Sequence, residues 1–401
     1  MNRSYSWFCT SVQVCVLVLV GCLSSAPAAP TDEAPADKWP MFRGCLAGTG
    51  RSASMLHLPL VENWHRTFPK TAFESTPVIA DDTIYIGDLD GIFYALAIAS
   101  GETKWTFKAQ AGFRSAAAIS TDAAEPLVVV GDSSGLVRAF DQRSGAVQWE
   151  YETEGEISGG PSIVPLGKDS RVLVGSQDAS LSCLLLNNGK LLWKHTIADQ
   201  IRCSPTVAGG RVFLAGCDGK LHVIDALTGK SIGDVSIDGP TGTTPAALND
   251  RVYFGSEGGV FWAIDFQARS VAWKVATAAN SQAYRSSAAI VEDLAIVGSR
   301  GKAIEAFAIA DGERKWRSST RGRVDASPVV VRATINGIDS PPVSLVIVAD
   351  SAGTLSALRS SDGTRVWTFD TGNGFSASPA VAKGRVVMAS DDGTVWCFGS
   401  Q

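Results

Sequence analysis

Tryptophan returns along this chain at a near-constant interval, and that interval limits the fold more than any other feature. It occurs at positions 64, 105, 149, 193, 273, 316 and 367, with gaps of 41, 44, 44, 80, 43 and 51 residues. The gap of 80 is two periods in which Gly233 stands in the empty slot. A glycine precedes most of these positions by four residues, at Gly101, Gly145, Gly189, Gly229, Gly312 and Gly363. The block 261-FWAIDFQARSVAW-273 carries Arg269 there instead. Self-similarity at such a period marks an array of stacked supersecondary units.

Each period reads as four short strands. In the first full one they are 76-TPVIA-80, 83-TIYIG-87, 92-IFYALAI-98 and 104-KWTFKA-109, separated by turns at Asp81-Asp82, Asp90-Gly91 and Gly101. β-branched and aromatic residues alternate with small or polar ones, and no segment carries a helical period. Such units predict an all-β propeller of four-stranded antiparallel blades. Aligning the hairpins between the second and third strands places Ala95, Ala139, Cys183, Val223, Ala263, Ala306, Ala357 and Cys397 in one column of small residues. Blades pack face to face, and a large side chain there would push neighbours apart.

The count is eight. The last period begins at 378-SPAVA and ends with 394-TVWCF-398, so it lacks a fourth strand. The segment 60-LVENWHRTF-68 has Trp64 but no strands of its own period before it. It is expected to complete the last blade and so remove an open sheet edge. The insertion 332-RATINGIDSPPV-343 is expected as a surface loop.

Composition narrows the functional classes. Of 401 residues, 45% are apolar and 19% charged, which excludes a disordered chain. A net charge of −5 argues against broad nucleic-acid binding, which needs a basic face. Four histidines and no Cys/His cluster leave little for a zinc site. Arg3 followed by the apolar run Val12 to Gly21 reads as a signal peptide over residues 1–21. The run ends in 19-LVGC-22, which resembles a lipobox with Cys22 as the lipidated residue; ordinary cleavage near Ala26 and Ala28 is the rival. Residues 22–38 read as a Pro/Ala-rich tether and 39–401 as the propeller. Of the five cysteines beyond the leader, Cys45, Cys183, Cys203, Cys217 and Cys397, most are expected as free buried thiols. Pairing of Cys203 with Cys217 stays open, because spacing alone does not settle connectivity.

The strand–turn–Trp pattern in 95-ALAIASGETKW-105 and 306-AFAIADGERKW-316, together with the opening 39-WPMFRG-44, resembles the pyrroloquinoline-quinone-type repeat. The resemblance covers residues 39–401 and is specific for fold but not for function. One branch, the quinoprotein dehydrogenases, holds the quinone with calcium on the ring axis. Those chains are much longer and typically carry adjacent cysteines, and many have a Cys-x-x-Cys-His haem site; this chain has neither motif. The other branch, non-enzymatic propeller lipoproteins similar to the outer-membrane assembly factor BamB, matches in length, lipobox and repeat. The resemblance therefore implies a non-catalytic, lipid-anchored envelope scaffold facing the periplasm. It would be a monomer within a larger complex whose partner is an envelope or outer-membrane protein. No resident cofactor or metal is expected. A small quinone-dependent oxidoreductase or a ligand-sensing propeller is the alternative.

No catalytic constellation stands out. His57, His65, His195 and His222 are scattered, and the turns 88-DLDG-91, 132-DSSG-135, 350-DSAG-353 and 391-DDG-393 satisfy hairpin chemistry without a distal calcium ligand. Glu152, Glu154 and Glu156 read as a strand end or loop. The informative column lies where each period enters its innermost strand: Glu74, Arg114, Ser158, Arg202, Gly242, Arg285, Asp325 and Ser376. Phe73, Phe113, Ile201, Tyr284 and Phe375 adjoin it, suggesting an aromatic rim with arginines suited to protein or anion recognition. The partner-binding candidates are Phe73, Glu74, Phe113, Arg114, Arg202, Tyr284, Arg285 and Asp325. A self-satisfied ring of ion pairs is the competing reading.

Overall fold

The computed structural model describes residues 1–2, 32–121, 126–166, 169–276, 283–335 and 337–400. Residues 3–21 of the expected signal peptide and Cys22 lie outside them.

Strands form where the two-residue alternation demanded them. Blade one is β3 (Val78–Ala80), β4 (Thr83–Gly87), β5 (Ile92–Ala97) and β6 (Thr103–Lys108), after β1 (Arg51–His57) and β2 (Val61–Thr67). The same antiparallel order, innermost strand to outermost, repeats through eight sheets. Among the described residues there is no α-helix. As expected, β2 closes the ring: it pairs antiparallel with Thr394–Gly399, placing Trp64 opposite Cys397.

The small column and the tryptophans form one device. Ala95 faces Trp105, Ala139 faces Trp149 and Cys183 faces Trp193 across the two outermost strands of their blades. Each of the seven repeat indoles donates to a carbonyl of the next blade, at 2.7–3.1 Å, from Trp64 to Ile98 O round to Trp367 to Leu60 O. Six of these rings cover the next blade's turn glycine so closely that an added Cβ would meet ring carbon at 2.5–2.8 Å. Four buried thiols, Cys45, Cys183, Cys203 and Cys397, and the partly exposed Cys217 are all free, so Cys203 and Cys217 are unpaired.

The two departures from the repeat meet at one junction. Gly233 lacks the indole, and the Arg269 side chain of the next blade fills the gap, with its Cδ 2.9 Å from where a Cβ at 233 would lie. Its Nη1 donates to Ile232 O at 3.3 Å. We expect Gly233→Trp alone to cost about 1–3 kcal/mol by overpacking. Adding Arg269→Gly should recover much of that loss. A urea double-mutant cycle checks this; additive single effects would contradict the pairing.

The N-terminal segment departs from expectation. The tether was expected to run to residue 38, but the chain is docked from Asp32: Ala34 is fully buried and bridges Ser52, and Arg51 pairs with Asp32 and Glu33. From there it runs round the inside of the ring. Ala36 O accepts from Lys383 in blade eight, Trp39 exchanges two bonds with Ile79 in blade one, and Pro40 O accepts from Ile119 in blade two. Met41 shares a cluster with Ile163 of blade three. Leu46, Ala47, Thr49 and Gly50 carbonyls then accept from Val207, Ala247, Ile290 and Val330 of blades four to seven. Finally β1 lies parallel against Val329–Thr334, making blade seven five-stranded. All of these contacts lie beyond the entry to the innermost strands, so the segment forms a floor at one end of the channel. Of the insertion expected as a surface loop in blade seven, Arg332–Thr334 and Val343 instead join strands.

Candidate functional site

All eight residues of the sequence column line one cavity of about 180 Å3 on the ring axis, with Phe42 of the floor segment at its base. Each sits two residues before a second position that lines the same cavity: Thr76, Ala116, Gly160, Ser204, Thr244, Ser287, Ser327 and Ser378. A wider vestibule of about 530 Å3 opens above, shared by Glu74, Arg114, Arg202 and Arg285 and bounded also by Glu156 and Glu257. The channel is therefore a blind funnel.

Charges at the mouth are partly self-paired. Arg114 reaches Glu74 at 3.5 Å and Glu156 at 3.7 Å, and Arg285 reaches Glu257 at 2.8 Å. Asp325 takes a two-pronged bond from Arg300 at 2.9 and 2.7 Å and a further contact from Arg323 at 3.3 Å. That bond raises the Arg300 pKa above its ordinary value. Arg202 differs: its partner is the neutral Gln200 side-chain oxygen, at 2.9 and 2.6 Å. The Arg114 and Arg285 side chains are 49% exposed, so their pairs are open to competition by an incoming ligand.

The expected aromatic rim is not at the surface. Phe73 and Phe113 are 0% exposed and Tyr284 is 1% exposed. Neighbouring residues on an extended chain point to opposite sides, so when Glu74, Arg114 and Arg285 face the channel these aromatics turn into the blade interface. Phe113 packs on Gly87 and Tyr284 on Gly255, where an added Cβ would approach within 2.3 and 2.2 Å. Tyr284 also donates to Glu305 at 3.0 Å. Of the eight partner-binding candidates, Glu74, Arg114, Arg202, Arg285 and Asp325 reach the mouth; the three aromatics serve packing. Sequence reasoning did not assign Glu156, Gln200, Glu257 and Arg300 to the mouth, although Glu156 and Gln200 each lie two residues before the column, and Glu257 and Arg300, 43 residues apart, hold the same position in the second hairpin of their blades.

The aspartate turns serve the hairpins. Asp88 accepts from Ile92 N and Tyr94 Oη at 2.7 Å each, and Asp132 accepts from Ser134 N, Leu136 N and Arg138. Among the described residues, no three His, Cys, Asp or Glu side chains gather as a metal group. His57, His65, His195 and His222 bond Thr334, Glu62, Gly229 O and Asp218. The two carboxylates that line the cavity, Glu74 and Asp325, are held by arginines and so are not free to hold the calcium ion of the dehydrogenases.

Fold and site together define a pyrroloquinoline-quinone-type repeat propeller whose polar funnel is closed at one end. The chain belongs to the family described as outer membrane protein assembly factor BamB, whose model matches residues 62–156, 133–232, 214–340 and 304–400. Among solved structures it is similar to BamB from Moraxella catarrhalis, at 18% identity and a TM-score of 0.66, covering 85% of this chain and all of that one. It is also similar to the computationally designed Ika8 protein (15%, TM-score 0.67, covering 86% and 99%) and to a europium-containing methanol dehydrogenase (12%, TM-score 0.70, covering 91% and 98%). Likeness at these identities shows the fold alone. No match was found among curated proteins.

Proposed function

We propose that the protein is a non-catalytic cell-envelope scaffold that docks a partner protein on the channel mouth. The observation that carries this reading is the funnel itself. Partly exposed arginines from several blades stand on a ring in which indole bonds lock seven of the eight junctions, so little ordering cost attends binding. Membership of the outer membrane protein assembly factor family supports an envelope or outer-membrane assembly protein as the partner. Export with a lipid on Cys22, placing the disc in the periplasm as a monomer within a larger complex, completes the proposal.

Affinity capture from envelope extracts with the disc as bait tests it. The expected result is stoichiometric recovery of an outer-membrane assembly protein. Capture of no envelope protein, or dye reduction with an alcohol or sugar after loading with the quinone and calcium, would overturn it.

A further inference from the structure

Below the arginines, the cavity wall carries a belt of hydroxyls that runs from blade to blade. Ser204 N donates to Thr244 Oγ1 at 3.0 Å, Thr244 N to Ser287 Oγ at 3.0 Å, and Ser287 N to Ser327 Oγ at 2.9 Å. Ser327 N donates to Ser378 Oγ at 2.9 Å, and Ser378 N to Thr76 Oγ1 at 3.1 Å. The five acceptor residues are each no more than 5% exposed, and all line the cavity.

Each of these oxygens is thus committed as an acceptor of a backbone N–H. A hydroxyl also has one proton to give, and burying it without an acceptor costs free energy. Among the described residues, none of the five hydroxyls donates to a protein acceptor. The protons are left to the channel. Three guanidiniums line the same cavity, Arg114, Arg202 and Arg285; Glu74, Glu156 and Glu257 pair with the first and third, and Arg300 and Arg323 pair with Asp325. Arg202 has only a neutral partner. Donors dominate, and the charge excess is positive, which disfavours a cation. A single carboxylate has two oxygens to offer, fewer than this arc of donors can serve.

We propose that the axial cavity is a binding site for a tetrahedral oxyanion, phosphate or sulfate, free or as the phosphoryl head of a small ester. The belt hydroxyls donate to its oxygens, and Arg202 supplies the unneutralised charge above. This site needs no docked protein, so it goes beyond the scaffold reading and stands or falls apart from it.

The test is titration of the purified protein with sodium phosphate, sodium sulfate or glycerol 3-phosphate at constant ionic strength, with sodium chloride as control, followed by calorimetry and thermal melting. Saturable binding of one oxyanion per chain is expected, with a rise in melting temperature that chloride does not give. Equal binding of phosphate and the ester assigns the head group alone; binding of the ester alone assigns the ester. Ser327→Ala should weaken binding at least fivefold. Arg202→Gln, which leaves the belt intact, should do the same if the belt variant folds poorly. No saturable binding by any of the three, or affinities unchanged in folded Arg202→Gln and Ser327→Ala, would overturn the site. Because no partner enters this experiment, its failure leaves the capture result untouched, and the reverse holds.

Discussion

A chain that begins at Pro69 is expected to lose its cooperative melt at the temperature where the full chain is still folded. The truncation removes β2, and β2 seals two junctions. Its Trp64 faces Cys397 in the last blade, donates to Ile98 O at 2.9 Å in the first, and covers Gly101. On its other side, Leu60 O takes the Trp367 indole at 3.0 Å. Deleting one large aromatic from a packed site costs about 3–5 kcal/mol. The truncation also strips the floor segment, whose carbonyls satisfy innermost-strand amides in six blades and a turn amide, Lys383, in blade eight. Against a typical folding margin of about 5–15 kcal/mol, these losses are comparable to the whole. Circular dichroism melts measure the effect. Trp64→Ala gives the milder test, with a loss near the 3–5 kcal/mol range. A truncated chain melting within about 2 °C of the full chain would contradict the closed ring.

Charge reversal at the mouth should have the largest functional effect. In Arg114→Glu/Arg202→Glu/Arg285→Glu the fold should persist. Two of the three side chains are 49% exposed, and exposed pairs contribute about 0–1 kcal/mol. Arg202 bonds only a glutamine within its own loop. A docked partner would meet three reversed charges, and truncating charge pairs at interfaces costs about 2–5 kcal/mol. We expect capture of the envelope partner to weaken by about 100-fold or more. Reversal of Lys104 and Arg143, which lie at the opposite end of the blades, should leave capture unchanged. Equal capture by the mouth variant and the full-charge protein, both with unchanged melts, would remove the mouth from the interface.

The fold was largely legible because a propeller repeats its packing solution. Every Trp–Gly junction leaves a spaced imprint, so blade number, the closing strand and the axial column could be counted. Even the irregular junction was visible as Gly233 and Arg269; only their mutual fit required coordinates. The floor segment left no such imprint. It contacts the blades chiefly through backbone carbonyls, and backbone bonds select no side-chain pattern. Its local signals were the opening 39-WPMFRG-44, read only as a family resemblance, and Gly44, Gly48 and Gly50, all at left-handed φ. Phe73, Phe113 and Tyr284 were misplaced for a different reason. Strand alternation, applied one residue further, would have sent them into the blade interface once the column faced the axis. The hydroxyl belt sits two residues past that column, so the same alternation would have found it.

Site-specific photo-cross-linking in intact envelopes tests the central claim most directly. With the cross-linker in place of Arg202, the account predicts an adduct with an outer-membrane assembly protein, and none with the cross-linker in place of Arg143. Adducts from position 143 alone would contradict a mouth that recognises its partner.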